Sequence, residues 1–263
     1  AVWASKVFPE KSEEEAIAAL WQAILSAVRV SQDNDPVQEW KTHNQTLERI
    51  NRKLNEYQFD HLHFTNSLGT DLKVGLVKNH RWAGGKETAQ NGAVFNPNIP
   101  TEETFTMPDR LQTEGVVVAT KPLNYQGRLI EDFELTFKEG KVVDFKAKKE
   151  EQALKNLLDT DEGSRYLGEV ALISHDSPIS NTNILFYNTL FDENASCHLA
   201  LGRAYPMNVE GGLQMDEEQL KAVGMNVSMN HEDFMFGSRD MKIVGVLSDN
   251  TEIVIFDNGN FVI

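Results

Sequence analysis

Residues 47–76 read LERINRKLNEYQFDHLHFTNSLGTDLKVGL. Up to Asn55 the apolar residues Leu47, Ile50 and Leu54 fall three or four positions apart, the spacing of one helical face, while Glu48, Arg49, Arg52 and Lys53 occupy the other. Beyond Asn55 the period drops to two. Leu62 and Phe64 alternate with His61, His63 and Thr65, and Leu72 and Val74 do the same after a polar turn. This change of period sets the fold class: α+β, with N-terminal helices followed by a largely antiparallel β body that carries a few short helices.

Towards the N-terminus, Ser12 and Glu15 have the spacing of a capping box, in which each side chain satisfies a free backbone N–H of the first turn. Ile17, Leu20, Trp21, Ile24, Leu25 and Val28 then predict one apolar helical stripe. Asp35-Pro36 opens the next helix, with proline where its missing N–H costs nothing, and Trp40 continues towards Leu47. Towards the C-terminus, 59–65, 72–77, 115–119 and 130–137 read as strands. Glu139-Gly140 reads as a hairpin turn into 141–147, and 148–158 as a short charged helix. Residues 168–173 form an apolar strand, 185–190 and 195–201 are apolar runs around an acidic turn at 192–194, and 243–247 with 252–256 close the chain as a hairpin. No internal period and no linker appear, so residues 1–263 are expected to form a single domain.

The balance of 25 basic against 40 acidic side chains gives a net charge of −15. Such a surface repels nucleic acid and anionic membranes, so neither is expected as a partner. A single cysteine, Cys197, excludes an intrachain disulfide framework and suits a reducing compartment. With no run near the roughly 20 apolar residues of a membrane span and no signal-like N-terminus, a cytoplasmic location is expected. The chain starts at Ala1, within what reads as structured sequence, as a fragment would.

Seven histidines are candidates for chemistry. His43 lies on the polar face of its helix and is expected to be solvated. His61 and His63 share one strand face without a nearby third ligand. His80 and His175 sit in turn and loop sequence. His198 and His231 differ, because each lies in an apolar run with acidic company. A lone charged ring there is costly to bury. In an extended segment His231 and Asp233 project from the same side, as two ligands to one cation would. Glu169 opens an apolar strand and reads either as a solvated strand end or as a site residue. Glu102 and Glu103 follow Thr101, as in a helix N-cap, but Pro108 cuts any helix short, so a functionally shaped loop is the alternative.

The segments IPTEETFTMPDR (99–110), LGEVALISHDSPIS (167–180), LFDENASCHLALGRAYP (190–206) and NVSMNHEDFMFGS (226–238) resemble, in order and spacing, the signature segments of the thermophilic-type metallo-aminopeptidases, the aminopeptidase T / aminopeptidase S (PepS) family. The likeness extends over essentially the whole chain, including LHFTNSLGTDLKVGL (62–76). It implies five metal ligands, which by motif fall on Glu103, Glu169, His198, His231 and Asp233, and a catalytic tyrosine at Tyr205. It implies two divalent ions (zinc, cobalt or manganese), peptide substrates with a free N-terminus, and a homodimer in the full-length form. Family members are longer, with an N-terminal α/β domain ahead of the segment that begins near Trp3 and KVFP (6–9), so this chain resembles the C-terminal catalytic portion.

Elementary chemistry agrees with that reading. Five N/O donors exceed the needs of one tetrahedral ion with an open position and suit a metal pair that shares a carboxylate. Three carboxylates and a hydroxide balance two divalent ions, so the whole can sit among apolar side chains. Tyr205 is expected to hydrogen-bond the oxyanion, and Glu103 or Glu169 to carry a proton to the leaving amine. Two other readings stand beside it: a binding or regulatory fragment stabilised by a structural metal, and a metal-free hydrolase built on the Glu103/Glu169 carboxylate pair. Cys197, next to His198 on a strand, is expected to face the other way as a core thiol.

Overall fold

A computed structural model describes residues 1–263. Three helices come first, α1 (Val2–Val7), α2 (Glu13–Ala27) and α3 (Pro36–Tyr57). Their starts are set by the caps legible in the sequence. Ser12 Oγ accepts from the Glu15 N–H at 3.4 Å while the Glu15 carboxylate accepts from the Ser12 N–H at 3.1 Å. Asp35 Oδ1 accepts from the N–H groups of Val37 and Gln38 at 3.0 and 3.3 Å. The buried face of α2 is narrower than its apolar stripe. Ala16, Leu20, Ala23 and Ala27 point inward, whereas Trp21 and Leu25 are 59% and 41% exposed. Alanines win the inner positions because the neighbouring elements approach α2 closely, and this small satellite core is completed by Ala4, Ile179, Phe186 and Phe191.

The β body follows: β1 (His61–Thr65), β2 (Asp71–Leu76), β3 (Glu87–Thr88), β4 (Val94–Phe95), β5 (Thr104–Thr106), β6 (Pro108–Val118), β7 (Leu123–Tyr125), β8 (Arg128–Lys138) and β9 (Lys141–Lys149). Helix α4 (Glu151–Leu158) begins only after β9 has run through Lys149, later than the charged pattern suggests. Then come β10 (Leu167–Leu172), α5 (Pro178–Thr182), α6 (Thr189–Glu193), β11 (His198–Gly202), α7 (Glu217–Ala222), β12 (His231–Met235), β13 (Lys242–Val246), β14 (Glu252–Asp257) and β15 (Asn260–Phe261). The acidic run at 192–194 is therefore the end of a short helix rather than a free turn. Glu139 and Gly140, at φ 50° and 78°, make the β8–β9 turn; both central residues at positive φ match the twist of the strands they join.

The strands form a nine-stranded sheet, ordered β15-β14-β13-β1-β2-β6-β8-β7 with β9 beside β8, and a four-stranded sheet ordered β12-β11-β10-β5. β3 and β4 pair with each other, and every pairing is antiparallel. One apolar core joins the two sheets. Val170, Leu172, Leu199, Leu201 and Phe234 of the smaller sheet meet Leu62, Phe64, Leu135 and Ile243 of the larger. The Phe133 and Phe234 rings pack at 5.7 Å across this interface, and Phe64 and Phe236 meet edge to face at 5.2 Å. No helix is long and apolar enough to cross a membrane.

Candidate metal centre

Alternation leaves the opposite face of the four-stranded sheet free for polar work. Its cross-strand register sets Glu169 opposite Ala200 and Ala200 opposite Asp233, with Gly202 opposite His231 and Ala171 opposite His198. One strand after another thus presents a donor on the same face: His231 and Asp233 from β12, His198 from β11 and Glu169 from β10. Glu103 stands immediately before β5, two residues ahead of Phe105, which pairs with Ala171. Between the donors the sheet carries Ala171, Ala200 and Gly202, so nothing bulky fills the space above them.

Glu169 reaches this face because of a bulge. Leu167 pairs with Leu201 and Glu169 with Ala200, so Gly168 is an extra residue in β10. In a regular ladder Gly168 would oppose Ala200, and Glu169 would point into the apolar core. A Cβ on Gly168 would lie 2.4 Å from the carbonyl oxygens of Arg203 and Gly202, so the bulge needs glycine.

The five side chains named from sequence converge. His198 Nε2 lies 3.4 Å from Glu103 Oε2, 3.6 Å from Glu169 Oε1 and 3.9 Å from Asp233 Oδ1. His231 Nε2 lies 3.7 Å from both Glu169 Oε2 and Asp233 Oδ1. Donor atoms about 2.0–2.2 Å from one ion at tetrahedral angles are roughly 3.3–3.6 Å apart, close to these separations. The two Glu169 oxygens face different histidines. Each imidazole is held through its other nitrogen: His198 Nδ1 donates to the Glu193 carbonyl at 3.0 Å, and His231 Nδ1 to the Arg203 carbonyl at 2.7 Å. That tautomer directs both Nε2 lone pairs into the cluster, the arrangement usual for metal-bound histidine. Asp233 Oδ1 is buried without any hydrogen-bond partner. An orphaned buried carboxylate oxygen facing two imidazoles and two carboxylates fits a cation.

The electrostatics point the same way. Burial pushes the Glu169 carboxyl up to about 7, with the Asp233 and Glu103 charges adding to it and His198 opposing. Burial also disfavours charge on His198, but the Glu103 and Glu169 carboxylates outweigh it and raise that pKa well above the ordinary histidine value. The protein alone holds protons where divalent ions would sit.

The segment before β5 is clamped. His43 Nε2 donates to the Thr101 carbonyl at 2.7 Å, and Asn194 Oδ1 accepts from the Glu102 N–H at 2.8 Å. Arg29 holds both Glu102 oxygens, one at 2.8 Å, and its guanidinium lies over Trp40. His43 is consequently not solvated, as its helical position suggested: its ring is drawn inward by Thr101 and Glu102. No helix starts at Thr101, which excludes the N-cap reading. His61 and His63 pair with Asp60 and Asp71 away from the cluster. Burial lowers His80 to about 4 beside Trp82. Cys197 is buried against Ile173, its thiol pushed up to about 11 by burial.

A cavity of about 260 Å³ opens over the cluster, and Tyr205, Phe105, Met207 and Thr101 line it with the five donors. Tyr205 is 41% exposed and its ring stands 4.7 Å from that of His231, so it is not a core tyrosine. Partial burial, helped by the carboxylates of Glu169, Asp233, Glu193 and Glu103, pushes its phenol up to about 12, and it remains a proton donor at neutral pH. Glu193, which also lines the cavity, was legible only as part of an acidic run. Its position five residues before His198 was the available signal.

Residues 1–261 match the family model described as thermophilic metalloprotease (M29). Aminopeptidase AmpS of Bacillus subtilis (strain 168) is 54% identical over 259 residues, covering 98% of this chain and 63% of the relative. Aminopeptidase 2 of Geobacillus stearothermophilus is 52% identical over 259 residues, covering 98% of this chain and 62% of the relative. The solved structure of wild-type AmpT from Thermus thermophilus is similar with a TM-score of 0.92 at 44% identity, covering 99% of this chain and 62% of that one. The chain thus spans less than two thirds of the length of these relatives.

Proposed function

The chain belongs to the thermophilic metalloprotease family (M29), and on that premise we propose that it is the metal-binding catalytic unit of an aminopeptidase, removing single residues from the free N-terminus of peptides. The observation that carries this is the convergence of Glu103, Glu169, His198, His231 and Asp233 on one sheet face, with Asp233 Oδ1 buried and unpaired. Five N/O donors suit two divalent ions, and zinc, cobalt or manganese all match a set without thiolate. Bound there, the ions supply a polarised scissile carbonyl and a water acidic enough to act near neutral pH.

The chain's own residues do the rest. Glu169, with one oxygen towards each histidine, spans the two halves of the donor set. The backbone carbonyls of Glu193 and Arg203 lock both imidazoles. Tyr205 donates its phenolic hydrogen bond to the oxyanion that forms on the carbonyl. Glu103 or Glu169 takes a proton and returns it to the leaving amine. Residues 1–263 act as one catalytic domain, in a cytoplasmic protein that is a homodimer at full length.

Elemental analysis and hydrolysis of amino-acid p-nitroanilides test the proposal together. Two divalent ions per chain, with turnover abolished in Glu169→Ala, is the expected result. One permanently closed ion would favour a structural-metal module instead. No ion at all would favour the carboxylate pair, although Glu103, Glu169 and His198 present donor atoms within 4.8 Å of one another, tighter than a glycosidase pair.

A further inference from the structure

A second cavity lies apart from the metal centre and shares no lining residue with the cavity over the donor cluster. Its volume is about 910 Å³, and its walls come chiefly from the end of β2 and the turn that follows, the start of β6, and the end of α7. Six buried side-chain polar atoms in the chain have no hydrogen-bond partner, and two of them, His80 Nε2 and Arg110 Nε, belong to residues of this one wall. The same signature, on Asp233, marks the metal cluster.

Each orphaned atom has a definite chemistry. His80 is 1% exposed; burial keeps its imidazole neutral, and Nδ1 donates to the Val77 carbonyl at 3.1 Å. Nε2 is then a lone pair in need of a donor. Arg110 Nε is a charged N–H in need of an anion, while Nη2 of the same guanidinium is spent on Glu162 at 2.7 Å. Lys78, an exposed wall residue, has neither a hydrogen bond nor an ion pair from its side chain. The two carboxylates of the wall are already engaged, Asp60 with His61 at 2.9 Å and Asp109 with the Leu111 N–H and the Gln112 amide, both at 2.9 Å. Leu76, Val77 and Met225 add apolar surface. What the wall lacks is one anion, one hydrogen-bond donor and apolar bulk.

We propose that this cavity binds the carboxyl-terminal end of a short apolar peptide, with the carboxylate on Arg110 and Lys78 and a peptide N–H on His80 Nε2. A terminal residue carries all three missing features in one unit: a carboxylate, its own amide N–H and a side chain. The volume has room for more than one such residue. On a chain of net charge −15, an unpaired lysine and an orphaned guanidinium N–H in one wall form a local exception that favours an anion. Binding here needs no metal and no turnover, so the inference goes beyond the aminopeptidase reading and does not rest on it.

The test uses the full chain loaded with Zn²⁺ and labelled with ¹⁵N in the histidine rings. N-acetyl-L-leucyl-L-leucine is the probe, because its blocked amine withholds it from an aminopeptidase, and the same peptide with a carboxamide end is the control. The expected result is a saturable shift of the His80 Nε2 signal with the free carboxylate. The carboxamide should bind roughly 10-fold or more weakly, and Lys78→Gln, a change at an exposed position, should weaken the carboxylate probe in the same direction. An unmoved His80 signal overturns the assignment, and so does a carboxamide that binds as well as the acid. Equal affinity of the acid for wild type and Lys78→Gln would place the peptide elsewhere and overturn it too.

Discussion

Arg29 holds Glu102 through both carboxylate oxygens and so turns that side chain away from the cluster that its chain neighbour Glu103 enters. Successive residues of an extended segment point to opposite sides. Anchoring Glu102 to the helical layer therefore aims Glu103 at His198. The pair is well buried, and Arg29 also touches His43 Nδ1 at 3.1 Å, so Arg29 ties helix α3 to the segment before β5.

Arg29→Ala would leave the Glu102 carboxylate buried without its cation. Breaking such a pair costs about 3 kcal/mol or more. Denaturant unfolding of the metal-free protein should register that loss, and chelator competition should show weaker metal binding because Glu103 is no longer aimed. A variant that matches wild type in both measurements would remove the clamp from the account.

Gly168→Ala tests the bulge. The added Cβ meets two carbonyl oxygens at 2.4 Å, so β10 must shift, and Glu169 turns with it. A metal affinity lowered by about 10–100-fold is expected, the size of effect seen when a ligand's support is disturbed. Wild-type affinity in this variant would mean that Glu169 does not depend on the bulge for its aim.

Tyr205→Phe removes a hydrogen-bond donor and nothing else. A kcat lower by about 100-fold or more is expected if the phenol holds the oxyanion, with KM and metal content little changed. Loss of metal would instead give Tyr205 a structural role.

Metal uptake should release protons. Glu169, raised to about 7 by burial, and His198, raised by its carboxylate neighbours, both hold protons that incoming ions displace. Affinity for Zn²⁺ should therefore climb between pH 6 and pH 8, and calorimetry in buffers of different ionisation enthalpy should count the protons. The same shifts act on the metal-free fold. Between about 4.5 and 7 the folded state binds more protons at Glu169 than the unfolded chain does, so stability falls as pH rises through that window. A flat melting profile for the metal-free protein across this range would contradict the assigned environment of Glu169.

Local interactions made much of the fold legible. The Ser12 box and the Asp35 cap act within three residues, and the change of period after Asn55 separates helices from strands without reference to anything distant. Motif resemblance singled out Glu103, Glu169, His198, His231 and Asp233, and the folded chain brings them together. Three features were decided only in three dimensions: the inward turn of His43, the contrary aims of Glu102 and Glu103, and the bulge at Gly168. Each depends on partners remote in sequence: Arg29 and Glu102 are 73 positions apart, and Glu102 and Asn194 are 92 apart. Periodicity reports which face of an element is apolar. Where a polar side chain finds its partner is set by the register between strands and by the helices packed against them, and those exist only once the chain has closed on itself.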